Sequence, residues 1–173
     1  MTINRKFILD PCCAGKMMWN NKKHPHVIYG DIRTAKKGHL KLQPNHSIEP
    51  DIILDFRRMP FEDKSFKLVV FDPPHLTTNH ASEESIMVKK FGCLIAETWQ
   101  SDLEKGFNEC WRVLEDFGVL IFKWNNARIS YQEVLGVIKK EPLFQNILRK
   151  NPTLGHTYWA CFMKIPKGAE QDD

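Results

Sequence analysis

Asp72 closes an apolar run, "FKLVVFD", and "PPHL" follows it directly. Proline donates no ladder hydrogen bond, so Pro73 and Pro74 end the run and stiffen the turn. A carboxylate beside a proline carbonyl makes a pair of hydrogen-bond acceptors, because proline keeps its C=O. Such a pair can accept two hydrogens from one donor group. His75 adds a flat ring that can stack, hydrogen-bond or titrate near neutral pH. Asp72, Pro73, Pro74 and His75 are therefore the candidate catalytic residues.

Three other strand-like runs also end in an acid: "KFILD" at Asp10, "HVIYGD" at Asp31 and "PDIILDF" at Asp55. In an open α/β sheet the ligand crevice lies outside the carboxyl ends of the strands. Four acids in succession thus line one rim of one sheet. After Asp10 come Pro11, Cys12, Ala14 and Gly15, small residues that let the backbone approach a ligand closely. No G-x-G-x-x-G fingerprint and no P-loop follows, so a pyrophosphate is not the expected ligand. Asp31 is placed to receive ribose hydroxyls. Asp55 can accept from an amino group, and Phe56 offers an apolar face to a purine. Ribose and purine without phosphate point to S-adenosylmethionine, whose sulfonium suits a rim of carboxylates.

Strands and helices must alternate to place these acids. "GKMMWNNKK" reads as a helix. "SDLEKGFNECWRVLE" has helical spacing, with Ser101 as the expected N-cap. "FGVLIFKWNN" reads as a fifth strand and "SYQEVLGVIKK" as a capped amphipathic helix. "LFQNILRK" and "HTYWACFMKI" are strands joined by the turn-rich "NPTLG", hence an antiparallel hairpin. The alternation points to βαβ units and a parallel sheet. Lys123, Trp124 and Asn125 end the fifth strand on the same rim and are candidate substrate contacts, although a strand tryptophan is more often core. "LTTNHASEESIMVKKFG", 76–92, is either a substrate lid with Lys89 and Lys90 on phosphates or a capped surface helix starting at Ser82. The other tryptophans are assigned to packing.

The 173 residues suit one domain, expected over 1–165 with a frayed tail from 166. A charged fraction of 27% with no long apolar run excludes a spanning helix and makes a cytoplasmic protein the expectation. The net charge of +4 is unevenly spread: 31–46 carries Arg33, Lys36, Lys37 and Lys41 against the single acid Asp31. Such a segment is either a solvated loop or a phosphate contact. The five cysteines include no C-x-x-C. The pair Cys12–Cys13 before His24 and His26 fits no familiar zinc spacing, so no metal is expected.

Three segments carry a resemblance. "FILDPCCAG" and "DFRRMPFEDKSFKLVVFDPPH" are similar to the first motif and the third-to-fourth-strand run of class I S-adenosylmethionine-dependent methyltransferases. "ECWRVLEDFGVLIFKW" resembles their next helix and strand, with Glu115-Asp116-Phe117-Gly118 in place of the usual turn. "DPPH" resembles the D/N-P-P-Y/F/W motif of enzymes that methylate adenine and some other amino groups, with His75 where those carry an aromatic. The resemblance implies a Rossmann-like α/β fold with a seven-stranded, mostly parallel sheet flanked by helices, in the order 3-2-1-4-5-7-6 with strand 7 antiparallel. It implies S-adenosylmethionine as cofactor and methylation of an amino nitrogen, with adenine N6 in DNA or RNA as the leading acceptor. A protein side-chain amide, a small molecule, or a non-catalytic nucleic-acid-binding module are the alternatives. The chain has no room for a separate recognition domain, so either the substrate is small or a structured RNA, or a partner protein supplies specificity.

Overall fold

The computed structural model describes residues 6–149 and 155–166. Seven strands form one sheet: β1 Ile8–Asp10, β2 Val27–Asp31, β3 Ile52–Ile53, β4 Phe66–Phe71, β5 Leu114–Asn125, β6 Phe144–Arg149 and β7 His156–Met163. Their order is β3-β2-β1-β4-β5-β7-β6. The first five are parallel, and β7 runs antiparallel to both β5 and β6. This is the order and polarity the resemblance implies.

Three helices are present among the described residues: α1 Ile86–Phe91, α2 Trp99–Val113 and α3 Tyr131–Ile138. α2 and α3 pack on one face of the sheet, where Leu103, Phe107 and Val134 join Leu9, Phe71 and Phe122 in the main core. Strand alternation sends Ile8, Val27 and Tyr29 to the opposite face. There Trp19 and Cys13, from the β1–β2 connection, cover them as a smaller cluster.

The expected helix over 15–23 does not form. Ala14 and Lys16 have φ of +42° and +54°, a left-handed conformation that cannot propagate a right-handed helix. Trp19 is instead pinned by its indole N–H to Asp10, 2.7 Å away. No helix forms between β2 and β3 or between β3 and β4 either. The β3–β4 connection is held by α2: Arg112 donates to the Phe61 and Met59 carbonyls and to Asp63, and Glu109 accepts from the Met59 N–H.

Two helix starts differ from expectation. α2 begins at Trp99 with Thr98 as its N-cap, one turn before Ser101, and the Thr98 hydroxyl donates to Asp102. α1 begins after Ser85, not Ser82; Ser85 accepts from the Met87 N–H. α3 starts as expected, with a full capping box between Ser130 and Glu133. The stretch Glu115–Gly118 lies inside β5 rather than in a turn. Phe117 has φ +60° there, and the β4–β5 register shifts between Phe66 and Leu68, as at a β-bulge. Of the expected 151–155 turn, only Gly155 is among the described residues, and of the expected tail only Pro166. No helix among the described residues is long and apolar enough to cross a membrane.

Candidate active site

Three of the four acids sit where their strands end. Asp10 and Asp31 are the last residues of β1 and β2, and Asp72 follows β4 directly. Asp55 lies two residues past the short β3, in a bridge with Arg58.

Asp10 is 1% exposed. Its carboxylate accepts from the Cys12 N–H and from Trp19, both neutral donors. Burial raises its pKa to about 7. Asp31, also buried, accepts the Ala14 N–H at 2.9 Å and so ties the turn after β1 to the end of β2. Arg33 fills its remaining positions through the backbone N–H, Nε and Nη2, at 2.9–3.1 Å. Asp55 receives Nε and Nη2 of Arg57, which also reaches Asp102 on α2 and holds the Asp55 carboxyl below its usual range.

The central cavity has a volume of about 630 Å³. The Cys12–Gly15 turn and Met17 and Met18 form one wall, and Asp72, Pro73, His75 and Leu76 another. Met87 and Phe91 reach it from α1, Lys123 and Asn125 from β5, and Thr157 and Trp159 from β7. The resemblance-based catalytic and first-turn residues thus share one space, apart from Pro74, Asp10 and Pro11. Asp31, Asp55 and Phe56 do not line it. Phe56 packs on Phe71 at 5.4 Å, in room left by Gly106, where a Cβ would come within 2.4 Å of the ring.

Electrostatics within the cavity centre on one pair. Lys123 Nζ donates to Asp72 Oδ2 at 2.5 Å. Burial raises the Asp72 pKa, and Lys123 opposes the rise. Burial, then the Lys123 charge, push the His75 pKa down to about 4. His75 is therefore a neutral ring at physiological pH, set edge-on to Trp124 at 6.4 Å. Asn125 donates to Thr157 and accepts from the Ala127 N–H, which braces the mouth.

Three expected substrate contacts are not in the cavity. Trp124 is 1% exposed and donates its indole N–H to the Ile129 carbonyl, so it is core. Lys89 pairs with Glu84 on the surface. Lys90 is buried, with its ammonium over the Phe91 ring. The 76–92 segment combines both expected forms: it contains a capped helix, and that helix contributes Met87 and Phe91 to the wall.

Trp159, expected in packing, faces the cavity. Its signal is the pairing register: it sits opposite Lys123 across β5 and β7, so both point to one side. Met17 and Met18 lay in a segment expected to be helical.

No family model and no curated protein matches the chain. Solved structures do. The N-methyltransferase NodS from Bradyrhizobium japonicum WM9, in complex with S-adenosyl-l-homocysteine, superposes with a TM-score of 0.58 at 12% identity, covering 92% of this chain and 78% of that one. The fold is that of the class I methyltransferases. A SAM-dependent methyltransferase from Methanosarcina mazei gives 0.54 at 11% identity, covering 94% and 93% of the two chains. A protein from Pyrococcus horikoshii OT3 gives 0.57 at 14%, covering 92% and 82%. On this methyltransferase fold, the cavity described above opens at the carboxyl ends of β1, β4 and β5.

Proposed function

We propose that the protein uses S-adenosylmethionine to methylate an amino nitrogen, with adenine N6 in nucleic acid as the acceptor. One observation carries this reading: Asp72 and Pro73 face the Cys12–Gly15 turn across a single cavity. The residues present fit the cofactor. Among the described residues the buried Asp10 carboxylate has only neutral donors, which suits a nearby cation, and the cavity volume lies within the roughly 300–1,000 Å³ of small-molecule sites. Ala14 and Gly15 would hold it by their backbone, with Asp31 keeping the turn in place. When bound, the cofactor supplies an electrophilic methyl group.

The chain's residues prepare the acceptor. An exocyclic adenine amino group is a weak nucleophile because its lone pair is delocalised into the ring. The Asp72 carboxylate and the Pro73 carbonyl can each accept one N–H, which localises the lone pair and aims it. Lys123 holds Asp72 in orientation, and the neutral His75 ring offers a stacking face for a base taken out of a duplex.

The test is transfer of a labelled methyl group to pools of DNA, RNA and protein. Counts are expected in nucleic acid; counts in protein alone would replace this acceptor with a side-chain amide. Asp72→Ala is expected to lower transfer by about 10²-fold or more while S-adenosylhomocysteine still binds. Comparable turnover in that variant would refute the role of Asp72.

A further inference from the structure

The connections leaving β1 and β2 hold most of the molecule's excess positive charge. Residues 11–48 contain six lysines and Arg33 against one acid, Asp31. The fold brings the two connections together. A cleft of about 210 Å³ lies between them, lined by Lys16, Lys22 and Lys23 from the first and by Asn45, His46 and Ser47 from the second. The exposed Glu49 also borders it. Its wall includes Ala14 and Gly15, which also line the reaction cavity.

His46 is the unusual member. Both its ring nitrogens are shielded from solvent and have no hydrogen-bond partner among the described residues. The ring lies so close to Gly15 that a Cβ there would stand 2.7 Å from Nε2. Burial and the nearby His39, Lys90, Lys22 and Arg33 all hold His46 below its usual pKa, which marks the cleft as electropositive. Lys16 is engaged, 3.8 Å from Asp51 and over the Tyr29 ring. Lys22 donates to the Gly15 carbonyl. Neither Lys22 nor Lys23 has a carboxylate partner among the described residues.

Like charges gathered without a counterion are costly. One kind of ligand answers them: an oxyanion, which accepts from ammonium groups. Exposed Lys36, Lys37 and Lys41 extend the charge beyond what a single phosphate requires. We propose that the cleft binds a phosphate of a nucleic-acid backbone, anchoring the acceptor strand behind the Gly15 turn while its base enters the cavity in front. This rests on the nucleic-acid acceptor argued above.

The experiment is fluorescence anisotropy of labelled short single-stranded RNA and DNA across a salt series. The proteins are the wild type, Lys22→Ala/Lys23→Ala and Lys23→Glu; the Lys23 side chain makes no hydrogen bond among the described residues. Binding is expected to weaken several-fold in both variants, and the slope of log K against log salt to shrink by about 0.7 per lysine removed. Unchanged affinity and slope would overturn the proposal. So would a shift of the His46 ring resonances by inorganic phosphate with no binding of either oligonucleotide. A preference between RNA and DNA would name the source of the phosphate. Thermal shift with S-adenosylhomocysteine separates the two readings. If that ligand fails to bind the wild type while strand binding still depends on Lys23, the methyltransferase reading falls and the cleft stands.

Discussion

At the scale of single residues, two side chains in the site lie far from their ordinary ionisation. His75 stays neutral down to a pH of about 4, so it contributes a ring and not a charge. A larger neutral ring should do the same work. His75→Trp is expected to keep transfer within about tenfold of wild type, and His75→Ala to lose about 10–100-fold, in line with the worth of one stacked base. Steady-state rates on an adenine-containing oligonucleotide check this; equal activity of the two variants would remove stacking from the account. Asp10 is the opposite case. Its folded pKa of about 7 lies above the ordinary carboxylate value of 3.8, so the folded state binds the proton more tightly. That contribution to stability is fully present below pH 4 and is lost as pH rises through 7. Asp10→Asn carries no charge but keeps only one acceptor oxygen, so either the Cys12 or the Trp19 N–H loses its partner. Its Tm relative to wild type is expected to be higher at pH 8 than at pH 5 by calorimetry, because only the wild type loses stability as the buried carboxyl ionises.

At the scale of elements, α2 does more than fill the core. Its Asp102, Glu109 and Arg112 hold the β3–β4 connection, which has no helix of its own. Close approach is essential to that arrangement. Gly106 is buried on α2, and an added Cβ would lie 2.4 Å from Phe56 and 3.0 Å from Phe71. Alanine is the better helix former, yet the contact must win here. Gly106→Ala is expected to cost about 1–3 kcal/mol of stability in denaturant titration. A stabilised variant would show that Phe56 can move aside freely.

At the scale of the whole molecule, the cavity is assembled from β1, β4, β5, β7 and α1. A ligand that bridges their ends stabilises the folded state by mass action, about 2.7 kcal/mol at a hundredfold excess over Kd. S-adenosylhomocysteine is therefore expected to raise Tm. Asp31→Ala removes the acceptor that ties the Ala14 N–H to β2, so the rise should be smaller in that variant. An equal rise would take Asp31 out of cofactor binding.

Local patterns in the chain marked the strands and their acidic ends, and the resemblance implied the strand order. The apolar runs ending in Asp10, Asp31 and Asp72, and the prolines after the last, are local patterns that survive any packing. The sequence also carried the α3 capping box, which is a contact within four residues. Packing alone decided the rest. Left-handed backbone at Ala14 and Lys16, with Trp19 drawn to Asp10, overrode helical propensity over 15–23. The wall residues Trp159 and Lys123 became neighbours through strand register, and Lys123 met Asp72 through β4–β5 pairing. Arg33 came to occupy Asp31, and two basic connections came to enclose His46, because partners distant in the chain are chosen by the fold. Local sequence encodes local conformation. Which side chains share a cavity, and with what charge, is a long-range outcome set when the strands align.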